Sequence, residues 1–219
     1  MKPSPRILRK ARPCGFTLIE LLVVIAIIAI LAGLLYPVLA VVIEHGRKVQ
    51  AVNDEKQIIG AISAYYTEYQ KYPVDPATKP GDAVYSTDNN SLFDVLRNMT
   101  GTTIGNALNS RNVPFLQVPY ASNQNSPKGG LQVSSGIWYD PWGSPYNVAI
   151  DGDYDGVLNS TASPLPNFYS DVGPLQMGAI AWSFGKNGLL GGGPAAAPAF
   201  SSESGTPGKQ SGSGDVVSW

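Results

Sequence analysis

Sulfur and imidazole are almost missing from this chain, whose 219 residues hold one cysteine, Cys14, and one histidine, His45. A lone thiol cannot close an intrachain disulfide, so an oxidising compartment would add no covalent staple. Cys14 sits in a basic stretch ahead of a long apolar run that would separate it from the folded body, so no catalytic role is expected of it. No nucleophile-elbow pattern is present, and acidic pairs alone are too common to nominate an active site. An excess of basic charge is also lacking, with 15 Lys and Arg against 16 Asp and Glu, which argues against a nucleic-acid surface. Gly208-Lys209 is no phosphate loop, because Glu203 stands where the first glycine is required and Gln210 where Ser or Thr is. No internal repeat is evident.

What the chain does have is concentrated near its start. Lys2, Arg6, Arg9, Lys10 and Arg12 precede Gly15 with no acidic residue among them, which keeps this stretch cytoplasmic by the positive-inside rule. The run from Leu21 to Leu35 carries no charge and continues through Tyr36 and Pro37 to Ile43. As a helix it can cross a hydrocarbon layer of about 30 Å. A secretory signal places its small-residue cleavage site after the apolar segment. Here the glycine lies before it, and Glu20 is the odd charge at its edge.

Gly15-Phe16-Thr17-Leu18-Ile19-Glu20 with its apolar run resembles the class III signal of the type IV pilin superfamily. The resemblance implies that prepilin peptidase cuts between Gly15 and Phe16 and methylates the new N-terminus at Phe16. It implies that Glu20 neutralises the terminal amine of a neighbouring subunit in a filament, giving a carboxylate that is costly in lipid a partner. It also makes Pro37, with Gly33, the place where the helix locally unwinds on assembly. Removal of residues 1–15 takes away five basic residues and moves the formal charge from −1 to −6, so the exported body is acidic. Cys14 leaves with the leader.

From Leu18 to about Gln70 the pattern reads as one long helix, roughly 75 to 80 Å at 1.5 Å per residue, ended by the restriction that Pro73 places on Tyr72. Its second half is amphipathic: Val52, Ile59, Ile62, Tyr66 and Tyr69 form the expected packing face, with Asp54, Glu55, Gln57 and Glu68 pointing elsewhere. The stripe Tyr65, Tyr66, Tyr69 and Tyr72 reads as core and subunit packing rather than a ligand platform. His45, beside Glu44, Arg47 and Lys48, reads as an interfacial residue at the membrane exit. The expected division is a leader at 1–15, a transmembrane assembly helix at 16–43, an amphipathic helix at 44–72, a periplasmic head at 73–190, a Gly/Pro/Ser-rich loop at 191–214 and an ending segment at 215–219. Within the head, Ser91 to Met99 is a short helix candidate with Ser91 and Asp94 resembling a capping box, and 121–128 reads as a loop.

Asp140-Pro141-Trp142-Gly143-Ser144-Pro145-Tyr146 resembles a motif of the major pseudopilin of type II secretion systems, the general secretion pathway protein G family. Pro141, Gly143 and Pro145 define tight turns, and Trp142 and Tyr146 offer large surfaces to hold them. Tyr146 to Ile150 reads as a strand. Asp151, Asp153 and Asp155, with Gly156 at the sixth place and the Val157 carbonyl at the seventh, match the first half of an EF-hand-type calcium loop. Ala162 at the twelfth place cannot supply the closing carboxylate. Major pseudopilins bind calcium near their C-terminus, which maps here onto Asn187 and Asp215, with Asn187 replacing a carboxylate. Calcium is the one cofactor expected.

The fold class implied is α+β and pilin-like, a long N-terminal helix, transmembrane then amphipathic, packed on a small antiparallel sheet with a loop-rich C-terminal region. The function implied is a non-enzymatic structural subunit of a type II secretion pseudopilus, single-pass in the bacterial inner membrane with its head in the periplasm. Its expected partners are copies of itself in a helical filament, prepilin peptidase, minor pseudopilins, and the inner-membrane assembly platform with its ATPase. The nearest rival is a type IV pilin for adhesion, motility or DNA uptake, disfavoured by the missing C-terminal disulfide. A monomeric membrane-anchored binding protein with a calcium-stabilised head is the third reading.

Overall fold

A computed structural model describes residues 16–75, 81–99, 108–159, 165, 168–169, 171–189 and 215–219. The expected leader with Gly15, and the expected loop at 191–214, lie outside the described residues. The chain divides into two compact units, Met1–Glu44 and His45–Trp219.

Helix α1 runs Leu18–Tyr69 and contains Pro37 within its helical backbone. It stops where Gln70 turns left-handed at φ 54°, three residues ahead of Pro73. In the first unit its apolar side chains are uncovered by this chain: Leu18 is 81% exposed, and Ile19, Leu22, Ile25, Ile28, Leu31 and Leu34 are exposed with it. A row of this kind far exceeds what a soluble monomer shows to water. Taken singly, no helix is long and apolar enough to cross a membrane; Leu18–Leu34 and Leu39–Tyr69, separated by a bend, pass by length and composition only as a pair.

In the second unit, strands β1 (Ala83–Tyr85), β4 (Asn147–Ile150), β5 (Ala179–Ser183) and β6 (Val216–Val217) form an antiparallel sheet in the order β1-β4-β5-β6. A two-stranded ribbon pairs β2 (Gly130–Leu131) with β3 (Trp138–Tyr139). The fold is α+β and pilin-like, as expected. Alternation along the strands divides the core. Val148, Ile150 and Ala181 face a cluster with Ile58, Ile62 and Tyr65 of α1 and with Phe93 and Trp138, while Ala149, Ile180 and Trp182 face Tyr169, Leu158 and Leu165. Burying a side chain such as Ile58 or Phe93 stabilises the head by about 2 kcal/mol. Trp219 closes the second cluster against Phe168 and Trp182, at ring centroid distances of 5.5 and 6.3 Å, so the ending segment returns to the sheet.

Two local expectations are corrected. The short helix is α2, Asn90–Leu96, with Asn89 at its N-cap and no side-chain cap. Ser91 lies inside it, its hydroxyl donating to the Asp88 carbonyl at 2.9 Å. Asn89 cannot cap because its amide turns inward and donates to the Trp138 and Tyr146 carbonyls at 3.1 and 2.9 Å. The second correction concerns the packing face of α1. Ala51, Asp54, Glu55, Ile58, Ala61, Ile62 and Tyr65 are buried, whereas Tyr66 is exposed and Val52 and Ile59 are half-buried. The helical period was legible, but charge pushed the assigned face a residue off its true position.

The Tyr146 hydroxyl donates to Asp54 Oδ2 at 2.8 Å. The Glu55 side chain is 0% exposed and neither of its oxygens makes a well-aligned hydrogen bond. Burial, then the neighbouring Asp54 charge, pushes the Glu55 carboxyl up to about 9, against only a compensating Ser183 backbone amide. Burial also raises Asp54, to about 6. Because both folded-state values lie above the ordinary carboxyl range, these groups favour the fold fully below pH 4 and lose that contribution as pH rises through 6 and then 9. Glu55→Gln, which cannot ionise, is therefore expected to stabilise the protein at pH 8 by several kcal/mol, at about 1.4 kcal/mol for each pH unit above the ordinary carboxyl value, and to change little at pH 4. Urea unfolding in detergent at the two pH values measures this; equal effects at both would show that ionisation of Glu55 is not what limits stability.

Candidate functional site

Three places carry the residues singled out by the sequence: the start of α1, the turn after β3, and the acidic turn after β4. At the first, Thr17 and Glu20 make a capping box. The Thr17 backbone amide and hydroxyl donate to Glu20 Oε2 at 2.8 and 2.6 Å, and the Glu20 amide donates back to the Thr17 hydroxyl oxygen at 3.3 Å. The Thr-x-x-Glu spacing was in plain view, yet only Glu20 had been given a role. Phe16 precedes the cap and is exposed.

The turn after β3 is organised by Asp140, which is fully buried. Its Oδ1 accepts the backbone amides of Trp142, Gly143 and Ser144 at 2.9, 2.7 and 2.9 Å, and its Oδ2 accepts the Ser183 hydroxyl at 2.5 Å. Burial raises the Asp140 carboxyl, opposed by these four donors. Gly143 adopts φ 109°, where a side chain would also meet the Pro127 carbonyl. Pro145 bridges back to Tyr139, and Pro141 starts the turn that these bonds close. Tyr146 is buried against Trp138, ring centroids 5.3 Å apart and edge-on, while Trp142 is only half-buried. The motif is thus a structural clamp whose central group is a carboxylate, with Ser183 as a member that sequence spacing did not point to.

At the third place the structure joins Asp151 and Asp153 with Asp82, just ahead of β1; the nearest carboxylate oxygens of the three lie within 4.8 Å of one another. Gly156 takes the positive φ, 80°, that the calcium-loop pattern asks of its sixth place, and its amide donates to Asp151 Oδ2 at 3.0 Å. Asp155 is outside this trio, its Oδ1 accepting the Val157 amide at 2.7 Å. Burial, then the charges of Asp153, Asp151 and Asp155, raises the Asp82 carboxyl to about 6. No sequence signal pointed to Asp82, which joins the turn only through the pairing of β1 with β4.

Asn187 and Asp215 do not join it either. Asp151 lies beside Gly178, whose carbonyl accepts its amide at 3.0 Å, while Asp215 adjoins Val216, the partner of Ser183. The length of β5, about 13 Å at 3.3 Å per residue, separates the two ends. Asn187 Oδ1 accepts the Leu189 amide at 2.9 Å and Asp215 Oδ2 accepts the Tyr169 hydroxyl at 2.7 Å. Asn187 and Asp215 thus stand at the other end of β5 from the acidic turn, each with one side-chain oxygen accepting a hydrogen bond within its own surroundings.

A long helix with an apolar start and a small antiparallel sheet packed on its second half are consistent with a pilin-like fold. Residues 10–36 match the prokaryotic N-terminal methylation motif. Beyond that motif, the chain is similar to type II secretion system core protein G of Klebsiella pneumoniae, 28% identical over 170 residues that make up 76% of this chain and 97% of that protein. It is also similar to the fimbrial protein EcpC of Eikenella corrodens, 41% identical over 63 residues, which are 29% of this chain and 41% of that protein. No solved structure matches the chain.

Replacing the clamp carboxylate tests its place in the head. Asp140→Ala leaves three backbone amides and the Ser183 hydroxyl without their acceptor and is expected to cost about 3 kcal/mol, given the penalty for stranding buried donors. Asp140→Asn keeps one acceptor oxygen and should cost less. Chemical denaturation of both variants reads the difference; a loss under 1 kcal/mol for alanine would mean that the turn stands without the carboxylate.

Proposed function

We propose that this chain is a pseudopilin, a structural subunit of a type II secretion pseudopilus, processed by prepilin peptidase between Gly15 and Phe16 and methylated at Phe16. The observation that carries the reading is the similarity to core protein G across nearly the whole of that protein, head included. The methylation motif agrees with it. The match to a fimbrial protein covers a smaller part of both chains, and a surface pilin would be expected to staple its C-terminal region with a disulfide that Cys14 alone cannot form.

In this reading the uncovered apolar face of α1 rests in the inner membrane before assembly and against other copies afterwards. Either environment removes the Leu18 to Ile43 surface from water, and the transfer between them leaves apolar burial nearly unchanged. What selects the filament is then polar. After cleavage the Phe16 amine is positive, and N-methylation keeps that charge. A carboxylate has about four acceptor positions, so Glu20 can hold its Thr17 cap and also receive the amine of a neighbouring subunit. Pairing the two in a low-dielectric core relieves the cost that either bears alone. Pro37 withholds an amide from the helix and supplies the weak point for local unwinding.

The head projects into the periplasm, and the growing filament drives folded exoproteins towards an outer-membrane channel. Minor pseudopilins and an inner-membrane platform with its ATPase are the partners of that reaction. The subunit itself has no catalytic role.

Two measurements check this. In a strain lacking the gene, quantitative mass spectrometry is expected to show hydrolases lost from the medium and retained in the periplasm; intact secretion with loss of surface filaments would assign the chain to a pilus instead. For Glu20→Val, crosslinking through the anchor helices should give monomers in place of the ladder formed by the parent, with membrane insertion unchanged.

A further inference from the structure

We propose that Asp82, Asp151 and Asp153 form a calcium site that ties the chain ahead of β1 to the turn after β4. The proposal is independent of the filament reading, and the site lies at the opposite end of β5 from the segment where the resemblance had placed the metal.

The first support is orphaned charge. Asp151 is only 4% exposed; its Oδ2 holds the Gly156 amide, but its Oδ1 is sealed from water and accepts no well-formed hydrogen bond. Both oxygens of the half-buried Asp82 are sealed in the same way, with only the Asn159 backbone amide near enough to ease the charge. Buried polar atoms in native proteins are nearly always partnered, and an unpartnered buried carboxylate is among the costliest groups to leave so. Here such oxygens from two separate segments face each other and the Asp153 carboxylate. A cation between them turns this arrangement from repulsive to attractive without any of the three having to hold a proton.

The second support is that the backbone is built to bring them together. Gly152 lies so close to the Gly81 carbonyl that a Cβ at 152 would stand 2.1 Å from that oxygen. Glycine at 152 therefore permits the approach that sets Asp82 beside its two flanking aspartates. The pairing Ala83 with Ile150 holds the approach in register. On its outer side the turn is tied down by Tyr154, whose hydroxyl accepts the Tyr72 backbone amide at 2.9 Å and whose ring stacks on Tyr72 at 5.4 Å.

Donor chemistry selects the ion. Three carboxylates and no nitrogen or sulfur ligand suit a hard divalent cation. Calcium holds its oxygens at 2.3–2.6 Å, so two ligands of one ion stand up to about 5 Å apart, and it accepts an irregular shell completed by water. The three oxygens lie within 4.8 Å of one another, inside that limit. Magnesium, at about 2.1 Å, limits opposite ligands to about 4.2 Å and demands an octahedron.

The test uses the full chain in detergent micelles, with calcium chloride as the probe against a chelator. The melting temperature should rise by several degrees with millimolar calcium, because a ligand of the native state stabilises it, and equimolar magnesium should do less. Asp82→Asn and Asp151→Asn should abolish the rise. In chelator, Asp82→Asn should melt no lower than the parent, since it removes one of the repelling charges; this separates loss of a ligand from loss of folding. Asp215→Asn should keep the calcium response. No calcium response in the parent, a response that survives Asp82→Asn, or one lost in Asp215→Asn alone would each overturn the proposal, as would an Asp82→Asn protein less stable than the parent in chelator.

Discussion

The buried carboxylate of Asp140 is the interaction on which the head depends. It collects three backbone amides of its own turn and the Ser183 hydroxyl at the end of β5. The same turn delivers Tyr146, whose hydroxyl reaches Asp54 on α1. One short segment therefore fixes the ribbon of β2 and β3, the central strand pair and the helix with respect to one another. A turn built on prolines and a glycine alone would set a direction. A carboxylate saturated with donors sets a position, because each donor it loses leaves a buried charge less compensated.

Acidic groups recur wherever the head is tight. Asp54 and Glu55 sit under the sheet, Asp140 in the clamp, and Asp82 with Asp151 at the far end of the central strands. They are handled differently. Asp140 is satisfied by donors, burial pushes Glu55 towards its neutral form, and the Asp82 trio is where a cation site is proposed. The first unit poses the converse problem, an apolar helix surface with no cover from its own chain. In the proposed reading, lipid or other copies cover the one and an ion bridges the other.

The parts of this protein that were legible in its sequence are those governed by short-range order. The helix start, its length to within a residue, the β4 strand and the Asp140 to Tyr146 turn all follow from local spacing, because periodicity, capping and turn geometry act within a few residues. The Thr17–Glu20 box was equally local and simply shared a residue with a more conspicuous signal. The misplaced face of α1 has another cause. Aligning the face on apolar residues assumes that charges stay in water, and Glu55 violates the assumption because the packing around it fixes which side of the helix is covered.

What lay beyond the sequence were the joins. Asp82 beside Asp151, Ser183 on Asp140, Asp215 on Tyr169 and Trp219 against Trp182 each unite segments with no spacing rule between them. The sequence by itself determined an apolar helix start, a long helix, a clamp motif and an acidic turn, since each is written in contiguous residues. Which carboxylates meet, which are satisfied and which are left facing one another was decided only by the pairing of β1, β4, β5 and β6, because strand register brings distant residues to one place and no local preference encodes it.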